Sequence, residues 1–378
     1  MKRRTILAAG LGGALAAGAT GLHLVRGAGA EDDVPEVRDP MPAGPPAVEQ
    51  VAKIKPVAYW TGIFMKSWEF AYGNATPLSR SKDSRDHYDL AYDVDACTAM
   101  YRATGQRRYL DRALIWMENV VAAAAPSASL AKSSFADRFQ GWGSSRAGGG
   151  GDEVPLYESY LWRYGTNLLV AMKDLTDAGY KARYQRLLGF AEVDVFDKWY
   201  TRGPKSYIYR ERTHMAAHWA MIAMNIAHLT ADQSRKARCN TVVDQISTQL
   251  RQQLRRNPAE PTAWFWSDVW DSAKRPGQDV GHGNGVVTYV VEARDRNQGW
   301  SAADLAAFSS LLTKVIWPGG TTYHAYVDGT GTDNGWWSDG FVKLGRYDPA
   351  VQLRLEKHQV VNDQFAANMA LNARLLRA

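Results

Sequence analysis

The stretch DHYDLAYDVDACTAMYRAT (residues 86–104), followed after Gly105 and Gln106 by RRYLDRALIWMENVVAAA (residues 107–124), decides the fold. In both halves the apolar residues recur with a helical period, not with the alternation of a strand. The glycine between them ends the first helix and lets the chain turn back, so the pair reads as a helical hairpin. The same arrangement returns at 158–178 with 181–200, broken at Gly179, then at 213–229 with 232–256, and again at 282–296 with 301–316. A last helix is expected over 360–377, paired with the segment 339–345.

The first helix of each pair is the more apolar and aromatic, as in LWRYGTNLLVAM (161–172) and HWAMIAMNIA (218–227). Helices of that kind want burial on every side. A ring with buried inner helices and amphipathic outer ones provides it. The expected fold is therefore all-α, an α/α toroid or incomplete barrel of about five to seven helical hairpins, forming one domain over residues 56–378. Its units are longer and less regular than those of a tetratricopeptide solenoid.

Ahead of the ring, MKRRTIL opens an Ala/Gly/Leu-rich run that ends in Ala28, Gly29 and Ala30 before the acidic Glu31, Asp32 and Asp33. This predicts an export signal over 1–30 with a twin-arginine address, then a linker or N-terminal strap over 31–55. The expected protein is secreted, extracellular or periplasmic, with no membrane anchor, because no later stretch is apolar for long enough to span a bilayer. Cys97 and Cys239 are the only cysteines, too few for a disulfide scaffold. Either one bridge joins them or each is a small buried hydrophobe. The formal net charge of +6 includes Lys2, Arg3 and Arg4, and no lysine-arginine stripe appears, which argues against a nucleic-acid partner. A monomer without metal or cofactor is expected.

Long connections at 133–152, 200–213, 257–281 and 318–339 would gather at one end of such a ring. Trp142, Trp264, Trp266, Trp270, Trp336 and Trp337 sit in or beside them. Tryptophans interleaved with Asp, Asn and Arg suit carbohydrate, whose ring faces stack on indoles while hydroxyls take the polar groups. The same side chains would also pin long loops to a barrel.

Three sets of residues could carry chemistry. Tyr207, Arg210, Glu211, Arg212 and Thr213 run into His214 and His218, one turn apart, with Thr213 as the expected helix cap. The His-x-x-x-His spacing suits zinc, but Met215 stands where the zinc-protease motif needs glutamate. The glycine-spaced loop DVGHGNGVVTY supplies Asp279, His282, Asn284 and Tyr289, with His282 and Tyr289 seven residues apart on one helix face. Asn167 lies within an apolar inner helix, where a buried amide needs a partner. Histidine, tyrosine and asparagine together suit proton abstraction beside a carboxylate that amide or cationic groups neutralise.

On these residues the chain resembles the α/α-toroid polysaccharide lyases, the alginate and chondroitin lyase-like superfamily that includes glucuronan lyases. The resemblance implies metal-independent β-elimination on an anionic, uronic-acid polysaccharide. Tyr289 would be base and acid, His218 and His214 second base or orienting group, and Asn167 and His282 the carboxylate binders. Asn284, Glu211, Arg212, Tyr207, Trp142, Trp336 and Trp337 would bind substrate. Thr213 departs from the asparagine, and His282 from the arginine, that this family places there. The alternatives are a glycoside hydrolase on the same toroid, drawing paired carboxylates from Glu211, Asp279, Asp333 and Asp339, a uronate epimerase, and a non-catalytic carbohydrate-binding protein.

Overall fold

The computed structural model describes residues 48–145, 150–337, 339–359 and 361–378. The expected export signal lies outside the described residues. The chain enters through α1 (Val48–Lys53), α2 (Val57–Phe64) and α3 (Trp68–Ser79), then forms α4 (Ser84–Thr104) and α5 (Arg107–Ala122). It continues through α6 (Pro155–Met172), α7 (Ala178–Phe190), the short α8 (Lys198–Arg202) and α9 (Pro204–Tyr207), and then α10 (Thr213–Leu229) and α11 (Gln233–Gln253). The last helices are α12 (Val280–Asp295), α13 (Ala302–Ser310), α14 (Pro349–Leu355) and α15 (Asp363–Leu375). Two antiparallel ladders of two residues per strand tie down loops, pairing 125–126 with 140–141 and 255–256 with 264–265.

The inner elements form a closed ring, an α/α toroid. Helix α4 packs on α6, α6 on α10, α10 on α12, α12 on the 3-10 turn Phe341–Arg346, that turn on α15, and α15 back on α4. Residues early in each helix meet residues early in the next, as Tyr88 of α4 meets Tyr160 of α6 and Tyr160 meets His218 of α10. The inner helices therefore run parallel, with their N-termini at one mouth. The burial pattern explains the ring. Helix α6 is buried without a break from Tyr157 to Leu169, so it needs neighbours on every side. Helix α11 buries only Cys239, Val242, Val243, Ile246, Leu250 and Gln253, one stripe that covers α10 from outside.

Asp232 caps α11 and Asp279 caps α12, each through a carboxylate that accepts first-turn backbone N–H groups. Thr213 is not the expected cap. It is the first residue of α10, and its hydroxyl donates to Gln278 Oε1 at 2.9 Å. The outer helices at 181–200 and 301–316 are not continuous α-helices either, because π-helical turns occupy Ala191–Asp197 and Leu311–Ile316. One extra residue per turn shifts the hydrogen bonding while leaving the apolar spacing nearly intact, so periodicity does not reveal it. Cys97 and Cys239 are separate buried thiols on α4 and α11, which rules out the bridge.

The ring axis is polar. Lys343 Nζ donates to both carboxylate oxygens of Asp95 at 2.8 Å and to Asn368 Oδ1 at 3.1 Å, with all three side chains buried. Gln364 Nε2 lies 2.9 Å from Asp95 Oδ2 and 3.3 Å from Asp339 Oδ1, linking this cluster to the mouth. At the far end Arg346, Arg102 and Arg296 converge on the buried Glu292.

Candidate active site

The mouth is built from the first turns of four inner helices and the loop before the 3-10 turn. On α12, Asp279 accepts the backbone N–H of His282 at 2.9 Å and its Nδ1–H at 2.8 Å, so the cap also fixes the imidazole. The ring of His282 lies 4.4 Å from that of His214, and His214 lies 6.0 Å from His218, one turn deeper on α10. His218 meets the edge of Tyr160 at 5.2 Å, and Tyr160 stacks on Tyr88 at 3.7 Å with its hydroxyl 2.8 Å from that of Tyr92. Arg163, one further turn along α6, donates to Asp339 Oδ2 at 2.6 Å, and the Tyr160 hydroxyl lies 3.1 Å from the same oxygen. A continuous polar wall thus runs from Asp279 through three histidines and a tyrosine to Asp339.

Charge along this wall is sharply graded. Burial pushes His214 and His218 well below the usual histidine range, and the neighbouring His282 and Arg163 charges push them further. Both are neutral imidazoles at physiological pH. Burial also acts against the charged form of His282, yet the hydrogen bond to Asp279 and its charge outweigh it and raise the imidazole. Asp279 is correspondingly held down at about 2. The mouth therefore presents one ionised carboxylate with a protonation-prone histidine, both about two-fifths exposed, beside two neutral histidines. Arg163 is fully buried, held charged by Asp339 although burial opposes it, and its Nε and Nη1 have no hydrogen-bond partner among the described residues. Burial raises the hydroxyls of Tyr88, Tyr92 and Tyr160, so none is a base near neutrality.

The structure brings together His214, His218 and His282 as expected, and it moves several others away. Tyr289 is fully buried, and its hydroxyl lies 2.5 Å from Ser247 Oγ on the outer helix α11, at the back of α12. Burial pushes that hydroxyl up to about 12, the wrong direction for a base. Seven residues from His282 on a helix of 3.6 residues per turn gave a shared face in sequence, but α12 has neighbours on both sides and turns that residue outward. Asn167 lies towards the C-terminal end of α6, where its Oδ1 accepts from Arg296 Nη2 at 2.8 Å, so it binds no substrate at the mouth. Asn284 is a clip: its Oδ1 accepts the N–H groups of Gly340 and Phe341 at 2.7 and 3.1 Å and holds the turn that carries Asp339.

The expected tryptophan-lined groove is also corrected. Trp142 is buried, donating to Val120 O at 3.1 Å, and Trp264, Trp266 and Trp337 are buried as well, Trp337 stacked 4.3 Å from His358. These indoles pin loops to the ring because their large apolar area is worth more inside than in water. Trp270 is half-buried and Trp336 is 47% exposed. Tyr207 packs against Trp199 and Phe135, Arg212 is ion-paired with Asp268, and Glu211 is exposed. Sequence reasoning passed over Tyr88, Tyr92, Tyr160 and Arg163. Their signal was available as Tyr88-x-x-x-Tyr92 and Tyr157-x-x-Tyr160-x-x-Arg163, polar stripes along one face of otherwise apolar helices.

No family model and no curated protein matches this chain. Two solved structures are similar to it, both of the GH76A α-1,6-mannanase of Salegentibacter sp. HEL1_6. One is an inactive variant in complex with α-1,6-mannotetrose, with a TM-score of 0.43, and the other has a TM-score of 0.42. Each is 11% identical over 82% of this chain and 99% of the other. A likeness this distant carries no substrate or residue role across. The expected polysaccharide lyase, with its alginate or glucuronan substrate, is nonetheless overturned. The tyrosine meant to act as its base is sealed behind the ring, with its hydroxyl held on Ser247. Among the described residues no helix is long and apolar enough to cross a membrane.

Proposed function

We propose that the protein is a glycoside hydrolase acting at the N-terminal mouth of the toroid. The observation that supports this most directly is the placement of two carboxylates, Asp279 and Asp339, at the two ends of one histidine and tyrosine wall. Hydrolysis of a glycosidic bond needs a proton for the leaving oxygen and negative charge for the oxocarbenium-like transition state. His282, held in its protonated form by Asp279, is the proton donor. Asp339, ion-paired with Arg163, supplies the fixed negative charge. As the bond from the anomeric carbon to the leaving oxygen breaks, His282 gives its proton to that oxygen. Water then adds to the anomeric carbon, and its proton returns to His282. His214 and His218, neutral and adjacent, take sugar hydroxyls, and Trp336 offers an exposed ring for stacking.

The mouth favours a neutral glycan. Arg85 is paired with Asp89, Arg163 with Asp339, Arg212 with Asp268 and His282 with Asp279, which leaves little excess positive charge for an anionic polymer. We also propose that residues 1–30 are an export signal and that residues 56–378 form one catalytic domain working outside the cytoplasm as a monomer. N-terminal sequencing of protein recovered from periplasm or medium tests the signal, since a retained Met1 refutes it.

The test of the activity is a panel containing α-1,6-mannan, other neutral mannans and glucans, and uronic-acid polymers. Release of reducing ends without ultraviolet absorbance from unsaturated ends, strongly reduced in Asp279→Asn and Asp339→Asn, is the expected result. A preparation that releases no reducing ends from any polymer refutes the proposal, and selective cleavage of the uronic-acid arm refutes the neutral substrate.

A further inference from the structure

The loop between Trp266 and Gln278 does more than connect β-paired residues to α12. It curls round a cleft of about 550 Å3 lined by Asp268, Asp271, Ser272, Lys274 and Arg275, within the size range of small-ligand sites. Both ends of the loop run into the mouth. The Asp268 carbonyl accepts the N–H of Thr213 at 2.9 Å, directly before His214, and Asp268 is ion-paired with Arg212. Gly277, the last residue of the lining, stands two residues before Asp279.

The loop is held open from below. Gln253, buried at the end of α11, donates to the carbonyls of Val269 at 3.1 Å and Ser272 at 2.8 Å, and accepts the N–H of Asp271 at 3.0 Å. Trp270 Nε1 donates to Arg210 O at 2.7 Å, and Arg275 Nε to Asp328 Oδ2 at 2.9 Å. A side chain buried to hold three backbone groups of one loop fixes that loop's shape without filling it. Asp271 and Lys274 line the cleft and are exposed, and neither side chain has a hydrogen-bond or ion-pair partner among the described residues. One accepts and the other donates, which is the pairing a sugar's vicinal hydroxyls satisfy.

We infer that the 267–277 loop is a second sugar-binding position, taking an uncharged saccharide unit of the chain whose scissile bond lies at the mouth. The inference rests on the glycan-cleaving reading and extends it, since it makes the enzyme read polymer length. The histidine wall holds the reacting residue, and the loop holds a unit further along.

The experiment compares the parent protein with Lys274→Ala and Asp271→Gly, where glycine adopts the φ of 55° at Asp271 without strain. The probes are the disaccharide and hexasaccharide of the neutral glycan bound most strongly in the panel. The ratio of kcat/KM on the hexasaccharide to that on the disaccharide is expected to fall about 10-fold in each variant, equivalent to about 1.4 kcal/mol of binding lost from the longer chain alone. A ratio that does not move overturns the inference. Calorimetric binding of the same two oligosaccharides reads the loop even if no bond is cut, so failure of the hydrolase reading is seen separately. There, a hexasaccharide affinity reduced about 10-fold more than the disaccharide affinity supports the subsite. Equal losses, or a parent that binds both lengths equally, overturn it.

Discussion

Gly285→Ala is the substitution that most directly tests whether the histidine wall is the working surface. A Cβ added to Gly285 would stand 2.8 Å from His218 Nε2, 3.2 Å from its Cδ2 and 3.4 Å from Arg163 Nη1. Ordinary contact begins at 3.4 Å, so the imidazole must retreat by about 0.6 Å, the difference between 3.4 and 2.8. It has little room, since His218 is 2% exposed and meets the edge of Tyr160. Overpacking of this kind costs about 1–3 kcal/mol. Gly285 lies inside α12, where alanine returns about 1 kcal/mol of helix propensity. The net loss of stability is therefore about 0–2 kcal/mol. Catalysis should suffer more, because displacing a positioned group by about 1 Å costs about 100-fold, and a shift of half that or slightly more still costs about 10-fold. Urea unfolding and steady-state kinetics on the cleaved glycan measure the two quantities. Gly62→Ala in α2 is the control, with nothing within 4 Å of its added Cβ and an expected gain in stability. If Gly285→Ala keeps full kcat while unfolding like the parent, the wall is not where the chemistry occurs.

Other outcomes follow from the same contacts. Because Asp279 raises His282, kcat should decline as pH rises through the imidazole's raised value, and Asp279→Asn should move that limb to lower pH while reducing kcat about 100-fold or more. The stabilising effect of this pair has a matching window. The His282 contribution is present below its unfolded value of 6.5 and lost as pH rises through the folded one, while the Asp279 contribution is present above 3.8 and lost as pH falls through about 2. Thermal unfolding midpoints across pH, compared between parent and Asp279→Asn, follow both limbs. Tyr289→Phe should lose about 0.5–1.5 kcal/mol with the Ser247 hydrogen bond and leave kcat untouched, and a large loss of kcat there would restore Tyr289 to the site. Asp95→Ala leaves the buried Lys343 without its carboxylate, and denaturant titration should show a loss of about 3–5 kcal/mol.

Much of the fold is legible in local pattern. The all-round apolar character of 161–172 and 218–227 demands inner positions, and the glycine breaks mark hairpins, so a ring follows from burial alone. His214, His218 and His282 were also visible, because each stands in a first or second helical turn after a polar loop. What sequence could not give is which way each side chain faces once a helix has neighbours on every side. Tyr289 and His282 share a helix, yet α11 claims the tyrosine and α10 the histidine. The loop tryptophans look like a sugar platform in one dimension, while packing turns Trp142, Trp264, Trp266 and Trp337 inward. Pairs such as Arg163 with Asp339, 176 residues apart, exist only because the ring closes through α15 and the 339–346 segment. Sequence periodicity sets the burial demand of each helix, a property of that helix alone. The site depends on azimuth and on which helices are adjacent, and both were decided by closing the ring.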